Sequence, residues 1–292
     1  MDLDLRKVRY FVAVAERLHF GRAAEALHIA QPVLSRQIKA LEDELRAQLF
    51  TRDKRTTELT PAGAQLLADA RPLLANADAA RRRVGRAARG RGTFTIGFMP
   101  GLIVTPEVRA LSGRHPELSV EVVRTSWDDQ VEVIHDGRVD VSYVRLPVDQ
   151  RGLQVRPLLT EPRAVALPAD HRLAGKESID LIDLADEHLL HGVEALPEWR
   201  DIATELRSGR PRPADAPVHS VEEKLEHVAA GRGIAVLPLS AATFYHRPDV
   251  GYVLVRDIPD NQVCLAWDRA RRSPLVQEFA AIAAEQHAGV NV

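Results

Sequence analysis

The chain is poor in cysteine and in several large side chains. Its 292 residues include one cysteine, Cys264, together with two methionines and three tryptophans. A single cysteine excludes a disulfide within the chain and a paired-cysteine metal site, and it suits a reducing compartment. Because Cys264 lies in an apolar run, we expect it to be a buried, unreactive thiol.

Long apolar runs and catalytic motifs are also missing. No segment reaches the roughly 20 apolar residues that span a bilayer, and the N-terminus has no signal-peptide stretch, so we expect a cytoplasmic protein without a membrane partner. The sequence contains no G-x-S-x-G, no G-x-x-x-x-G-K-S/T and no zinc spacing among its 11 histidines. It therefore predicts no enzyme activity, no bound metal and no cofactor.

Charge is distributed unevenly along the chain. Residues 1–91 hold 18 Lys and Arg against 11 Asp and Glu, a balance of +7, whereas the remainder holds 21 against 30, a balance of −9. A basic module joined to an acidic one suits a protein that binds a polyanion at one end and has another function at the other.

Residues 20–42 are the most informative segment, because two helical patterns flank a short turn. In the second helix, apolar residues recur with the spacing of a stripe that faces a core: Leu34, Ile38, Leu41 and Leu45. The opposite side carries Pro32, Ser35, Arg36 and Lys39. A helix that lies in a DNA major groove needs this division between an apolar side and a side with donors and positive charge.

The segment after these helices predicts a wing. Residues 49–60 read as two short strands around the basic turn Asp53-Lys54-Arg55. A charged turn is commonly only a solvated loop, but its position after a helix-turn-helix favours a wing that lies beside a phosphate backbone.

Residues 61–90 predict a long helix followed by a hinge. Apolar residues along it step by four and three residues in alternation: Leu66, Ala70, Leu73, Ala77, Ala80 and Val84. Such a seam needs a partner helix, so we interpret it as a homodimer contact; the alternative is a helix packed on its own domain. Pro72 lies inside this helix, removes one backbone hydrogen bond and predicts a kink.

Taken together, these features resemble the N-terminal part of a LysR-type transcriptional regulator. The matching residues are Arg9-Tyr-Phe-Val-Ala-Val-Ala-Glu16, Phe20, Arg22-Ala-Ala-Glu-Ala-Leu27, Gln31-Pro-Val-Leu-Ser-Arg-Gln-Ile38, Leu41-Glu42, Leu49-Phe50 and Leu59-Thr-Pro-Ala-Gly63. The resemblance implies an all-α winged helix-turn-helix over 1–60 and a dimerising linker helix over 61–90. The candidate DNA contacts are Arg22, Gln31, Pro32, Ser35, Arg36, Lys39, Arg52, Lys54 and Arg55.

From Thr93 onward, strands alternate with helices. The β-α-β-α-β order up to residue 144 predicts an open parallel sheet with helices on both faces, and the pattern restarts at Arg163. A late strand over 262–267 and a helix over 275–286 are expected to return to the first sheet. The sequence thus predicts an α/β domain over 91–292, with subdomain I about 93–161 and 267–292 and subdomain II about 162–266.

This second half resembles the effector-binding domain of the same family, which is similar to periplasmic solute-binding proteins. The matching segments are Gly137-Arg-Val-Asp-Val-Ser142, Leu167-Pro-Ala-Asp-His171 and Ala230-Gly-Arg-Gly-Ile-Ala-Val-Leu-Pro238. The resemblance therefore covers nearly the whole chain.

Small molecules in such folds bind beyond the carboxyl ends of the strands, where the two halves meet. The candidate effector contacts are Met99, Pro100, Gly101, Thr125, Ser126, Trp127, Arg145, His191 and Val221. Three have competing interpretations: Ser126 as a helix cap with Asp129, Trp127 as a filler between helices, and Arg145 as a solvated loop residue. Family members that bind aromatic carboxylates often have a small hydroxyl residue where Gly101 stands, which argues against that effector class.

The resulting hypothesis is a sequence-specific transcription regulator controlled by a small-molecule effector, with carboxylates among the candidates. Its expected partners are double-stranded DNA with dyad symmetry, a second copy in a homodimer, further copies in a homotetramer, and RNA polymerase. Two alternatives remain open. One is an architectural DNA-binding protein without an effector, and the other is a solute-binding or catalytic protein.

Overall fold

The computed structural model describes residues 3–52, 57–87, 92–192, 195–208 and 220–288. The chain divides into two compact units, the first comprising residues 1–88 with 135–137 and the second comprising the other residues.

The first unit begins with three helices around one small core. They are α1 (Leu5–Arg17), α2 (Phe20–Ala26) and α3 (Gln31–Leu45). Phe11, Leu34, Ile38 and Leu41 are fully buried in this core. The predicted stripe of α3 therefore faces inward over its first three members, which leaves the opposite side of α3 to the surface.

A two-stranded wing follows α3. Strands β1 (Phe50–Arg52) and β2 (Thr57–Leu59) pair antiparallel, with Phe50 opposite Leu59. Glu42 holds the wing to α3, because its Oε1 accepts hydrogen bonds from the backbone N–H groups of Leu49 and Phe50 at 2.9 and 3.2 Å. The predicted basic turn, Asp53 to Arg55, lies outside the described residues.

Helix α4 (Pro61–Ala87) continues through Pro72 without a break. Its first part packs on its own unit: Leu66 and Leu67 contact the three-helix core and Ala70 is 1% exposed. Two ion pairs add to this packing, Arg9 to Asp78 at 2.7 Å and Arg71 to Glu16 at 3.3 Å.

The predicted dimer seam is therefore wrong for Ala70, whose surface is used within the chain. Leu66 is half-buried against its own unit, and its part in a dimer contact stays a prediction. Farther along the helix, Ala77 is half-buried and Ala80 is exposed. Leu73 and Val84 expose 39% and 71% of their surface. These exposed apolar residues keep the second part of the seam available to a partner helix.

The second unit contains two sheets, and the first of them defines subdomain I. Its strands are β3 (Thr93–Phe98), β4 (Ser119–Arg124), β5 (Val141–Arg145), β6 (Leu153–Glu161) and β11 (Asn261–Asp268), in the order β4-β3-β5-β11-β6. Helices α5 (Thr105–Arg114), α6 (Glu132–His135) and α11 (Pro274–His287) accompany this sheet. Strand β3 is parallel to β4 and β5, whereas β11 is antiparallel to β5 and β6.

The prediction of a parallel sheet thus holds for three of these five strands. The returning strand was predicted, but it runs antiparallel because the chain enters it directly from subdomain II. Strand β6 was not predicted. The return begins at Asn261 rather than near 267, so the expected subdomain boundary was about six residues late.

Subdomain II is built on a four-stranded sheet. Its strands are β7 (Arg163–Pro168), β8 (Ser178–Ile179), β9 (Ala235–Pro238) and β10 (Val250–Val255), in the order β8-β10-β7-β9. Its helices are a short 3₁₀ helix (Leu181–Leu184), α7 (Trp199–Ile202), α8 (Thr204–Ser208), α9 (Val221–Ala229) and α10 (Leu239–Phe244). Pro162 and residues 256–260 connect the two subdomains.

Candidate DNA interface and effector site

The face of α3 opposite the core carries the predicted DNA contacts. Gln31, Pro32, Arg36 and Lys39 are exposed and Ser35 is half-buried. Arg22, on α2, is exposed as well. The Arg36 and Lys39 side chains make no ion pair or hydrogen bond with the described part of the chain. Both cations are therefore available to phosphates or base edges.

Of the three predicted DNA contacts in the wing, the structure describes only Arg52. Arg52 ends β1 and so lies in the wing, as predicted. Lys54 and Arg55 belong to the turn outside the described residues. Their contribution to DNA binding stays a prediction.

Arg145 is the centre of the junction between the two subdomains. It ends β5 and is 1% exposed. Its Nε donates to Glu161 Oε1 at 3.0 Å, its Nη1 to the Pro100 carbonyl at 3.0 Å and its Nη2 to the Ser240 hydroxyl at 2.8 Å. The interpretation of Arg145 as a solvated loop residue is wrong, because strand and helix ends from both subdomains surround it.

The residues that follow β3 pack closely against subdomain II. Gly101 has φ +84°, and a Cβ atom there would lie 2.5 Å from the Cα of Ala241 in α10. Met99 and Pro100 are buried. Helix α5 begins at Thr105 rather than at Leu102, whose N–H donates to the Met99 carbonyl at 3.1 Å. The backbone N–H of Leu102 is therefore not free to bind an anion.

The next strand end supplies an unused hydroxyl. Thr125 is 3% exposed, and its Oγ1 has no hydrogen-bond partner among the residues that the structure describes. Ser126 instead donates its N–H and its hydroxyl to Asp129 Oδ1, at 2.7 and 2.9 Å. The interpretation of Ser126 as a residue bonded to Asp129 is thus better than its assignment as an effector contact. It does not cap a helix, however, because a turn follows it and α6 begins only at Glu132.

Two cations lie close to the ring of Trp127. The guanidinium carbon of Arg145 is 5.5 Å from its ring centroid and the Lys224 Nζ is 5.6 Å from it. The ring packs against the core of subdomain II. Both distances are within the range in which a cation is attracted to an aromatic ring. Arg145 was a candidate from the sequence, whereas Lys224 was not.

Lys224 was missed by sequence reasoning. It is 9% exposed, and no carboxylate of the described residues lies within ion-pair distance. Burial lowers the pKa of Lys224, while Asp128 and Glu223 act at longer range to raise it. The available signal was its position on α9, three residues after Val221 and one before Leu225, which places it on the apolar side of that helix.

His191 and Val221 have structural roles that weaken their assignment as effector contacts. His191 Nε2 accepts the N–H of Val236 at 3.0 Å. The protein atoms around His191 desolvate the ring and, with the charge of Lys224, lower its pKa to about 3, so the imidazole is neutral. Val221 is 1% exposed and packs with Leu225 and Val228 in the core beneath α9.

The junction thus combines Arg145, Trp127, Thr125 and Lys224 with one buried carboxylate, Glu161. Arg145 is paired with Glu161, whereas Lys224 has no ion pair among the described residues and only the longer-range attraction of Asp128 and Glu223. An arrangement of a cation, a hydroxyl donor and an aromatic ring can bind an anion. Among the described residues, no group of three or more potential ligands is arranged to hold a metal ion, and no helix is long and apolar enough to cross a bilayer.

Two family models match the chain, and together they account for both units. The model described as a bacterial regulatory helix-turn-helix protein of the lysR family matches residues 5–64. The model described as a LysR substrate binding domain matches residues 87–288. The chain belongs to the LysR family of transcriptional regulators.

Relatives of this LysR-type regulator match along almost the full length. The HTH-type transcriptional regulator AlsR of Bacillus subtilis is 33% identical over 95% of this chain and 94% of its own length. The Hca operon transcriptional activator HcaR of Escherichia coli is 32% identical over 99% of both chains. The crystal structure of CbnR, a LysR family transcriptional regulator, superposes with a TM-score of 0.61 at 25% identity, covering 98% of this chain and 99% of CbnR.

The predicted fold class and function are thereby confirmed for this LysR-type regulator. It is a DNA-binding transcription regulator with an N-terminal winged helix-turn-helix and a C-terminal effector-binding α/β domain. Its relatives are transcriptional regulators rather than enzymes. The alternative of a solute-binding or catalytic protein therefore has no support among them.

Proposed function

We propose that this LysR-type regulator binds a dyad-symmetric operator as a homodimer that assembles further into a homotetramer. We also propose that a small carboxylate controls it from the subdomain junction and so alters how RNA polymerase is engaged. The observation that carries the effector assignment is the buried ammonium of Lys224, which has no ion-pair partner in the part of the chain that the structure describes.

The DNA part of the proposal is supported by the surface of α3. A free Arg36 and Lys39 above a fully buried stripe is the arrangement that a major-groove helix requires. Two such helices, related by a dimer axis, would read two half-sites of a palindromic operator. The exposed apolar residues Leu73 and Val84 supply a surface through which two α4 helices can pair.

The effector part rests on the cost of burying charge. A buried cation without a partner is unfavourable, and that cost disappears when an anion binds next to it. We propose that the same oxyanion accepts a hydrogen bond from the hydroxyl of Thr125, two residues before Trp127, because that hydroxyl has no partner among the described residues. A carboxylate compensates the charge and uses the hydroxyl, which neither a neutral nor a cationic ligand can do.

Control by this ligand requires that it bind two arrangements of the subdomains with different affinity. Trp127 touches both Lys224 and Arg145, and Arg145 holds the subdomains together through Ser240. A ligand on Lys224 therefore acts one side chain away from the contact that fixes the subdomain arrangement.

A thermal-shift screen of the full-length protein against metabolite carboxylates tests the proposal. A ligand present at 100 times its Kd should stabilise the folded state by about 2.7 kcal/mol. Lys224→Met keeps the aliphatic stem and removes the charge, so we expect it to weaken binding at least tenfold. Lys176→Met, at an exposed lysine of the same subdomain, is the matched control.

Two results would contradict the effector assignment. Equal binding by wild type and Lys224→Met would remove Lys224 from the site. Stabilisation by neutral compounds only would exclude an anionic effector. If no compound shifted a folded sample, the architectural alternative, a DNA-binding regulator without an effector, would be favoured instead.

A further inference from the structure

A cavity lies in subdomain I, away from the junction. Its volume is about 640 Å³, and it is lined by the first half of β6, the end of β11 and the first turn of α11. Gln154 to Pro157 line it on β6, whereas the junction residue Glu161 ends that strand. Four residues of extended chain separate Pro157 from Glu161, which is about 13 Å. The cavity and the junction are therefore separate places on one sheet.

The lining of this cavity is strongly basic. None of its lining residues is acidic. Four of them are arginines: Arg156, Arg269, Arg271 and Arg272. Of these, Arg271 is paired with the buried carboxylate of Asp140. The surrounding residues 92–292 carry a net charge of −9. This concentration of guanidinium groups therefore opposes the charge of the domain that contains it.

Two of the guanidinium groups are held in place by backbone carbonyls. Arg156 Nη1 donates to Ala280 O at 2.9 Å, and its guanidinium carbon lies 6.0 Å from the Trp267 ring centroid. Arg269 donates Nε and Nη2 to Leu153 O at 3.2 and 2.9 Å. A guanidinium has five N–H donors, so each group keeps at least three for another acceptor. Fixed side chains lose little conformational freedom when a ligand binds.

The remaining lining residues also favour an anionic ligand. Arg272 is exposed and makes no contact of its own with the described residues. The N-cap residue Ser273 makes no side-chain capping bond, so its hydroxyl is available beside the positive end of the 14-residue helix α11. These groups add to the arginine cluster and do not by themselves define a site.

We propose that this cavity is a second ligand site, which binds a small metabolite carrying two or more carboxylate or phosphate groups. Guanidinium forks pair with such oxyanions in a bidentate manner, and the volume lies in the range of small-molecule sites. The proposal goes beyond the effector at the junction, because it assigns this regulator an additional anionic ligand at the other end of the subdomain I sheet.

Isothermal titration calorimetry of the full-length protein with pyrophosphate and with citrate, at constant ionic strength, tests this site. We expect one equivalent of at least one of the two anions to bind per chain. Binding should weaken at least tenfold in the double variant Arg269→Gln/Arg272→Gln. It should be unchanged in Arg109→Gln, which removes an exposed arginine of α5 in the same subdomain, and in Lys224→Met. The anion that binds identifies phosphate or carboxylate as the preferred group.

Three results would overturn the proposal: no binding of either anion, the same weakening in Arg109→Gln as in the double variant, or loss of binding in Lys224→Met alone. The last result would place the anion at the junction. If the double variant unfolds, the single variant Arg272→Gln still tests the site, because Arg272 makes no hydrogen bond or ion pair with the described residues. Failure at the arginines leaves the proposed effector at Lys224 untouched, so the two proposals are tested separately.

Discussion

Arg145 donates its Nη2 to the Ser240 hydroxyl at 2.8 Å, which joins the end of β5 to the start of α10. The bond crosses from subdomain I to subdomain II. Glu161 strengthens the connection, since one of its oxygens accepts from Arg145 Nε at 3.0 Å and the other from the Ser240 N–H at 2.9 Å. A rotation of the subdomains about Pro162 and residues 256–260 must therefore break a buried, charged network.

The first prediction concerns the strength of this network. Arg145→Met should lower the free energy of unfolding of the effector-binding domain by about 3–5 kcal/mol, because it leaves the Glu161 carboxylate buried without its cation. Urea unfolding of the full-length protein measures the change. Arg151→Gln, which breaks the exposed pair with Asp149, is the control and should have no measurable effect. A small effect of both variants would show that the junction is not a stabilising contact.

The second prediction concerns α3. Arg36→Ala should weaken operator binding by about 1–3 kcal/mol, with the fold unchanged, because the side chain is exposed and makes no hydrogen bond or ion pair within the described residues. Fluorescence anisotropy with labelled operator DNA measures the affinity. Arg109→Ala removes the same charge from the effector-binding domain and controls for a general loss of positive charge. Equal affinities of wild type and Arg36→Ala for the operator would show that Arg36 of α3 does not contact the DNA groove.

The third prediction concerns the linker helix. Leu73→Asp should abolish dimeric DNA binding while leaving each chain folded, since Leu73 is 39% exposed and a carboxylate there would be desolvated in a paired helix. Sedimentation velocity with and without DNA reports the stoichiometry. Ala68→Asp places the same charge on another exposed face of α4. If both variants remained dimeric, the exposed part of the seam would not be a dimer contact.

The fourth prediction follows from the neutral imidazole of His191. Its pKa is about 3 in the folded protein and 6.5 when unperturbed, so between these values the unfolded chain binds one proton more. The stability that His191 provides is complete above pH 6.5 and decreases by up to about 1.4 kcal/mol per pH unit as the pH falls below that value.

His191→Gln, whose side-chain oxygen can still accept the Val236 N–H, should remove this part of the pH dependence. Chemical unfolding of wild type and variant between pH 7.5 and 4.5 measures the difference in free energy, which should shrink as the pH falls. The same substitution at the exposed His246 serves as the control. A difference that stayed constant with pH would mean that His191 is not kept neutral by its surroundings.

Local patterns in the sequence predicted the parts of the fold that depend on local periodicity. The stripe of α3 is buried at Leu34, Ile38 and Leu41, and the wing pairs as expected from its position. For the first part of α4 the pattern was ambiguous, because an apolar seam looks the same whether it faces a second copy or the helix's own domain. Leu66 and Ala70 face their own domain, which only the packing against α1 could reveal.

The subdomain junction could be predicted only in part, for the same physical reason. Thr125, Trp127 and Arg145 end or follow strands, so the fold class pointed to them. The partners of Arg145 are Glu161 and Ser240, which lie 16 and 95 positions away, and no local pattern connects them. Lys224 was overlooked because a lysine on a short helix is usually solvated, and its burial depends on contact with Trp127 from the other subdomain.

The close approach of Gly101 to Ala241 has a genetic consequence. A methyl group at position 101 would lie 2.5 Å from the backbone of α10, and the backbone there has a positive φ that other residues rarely adopt. Such a substitution acts as a wedge between the subdomains in the absence of any ligand. Since a few kcal/mol separate the states of a two-state regulator, we expect substitution of Gly101 to change the level of transcription without a ligand, which a reporter assay would measure.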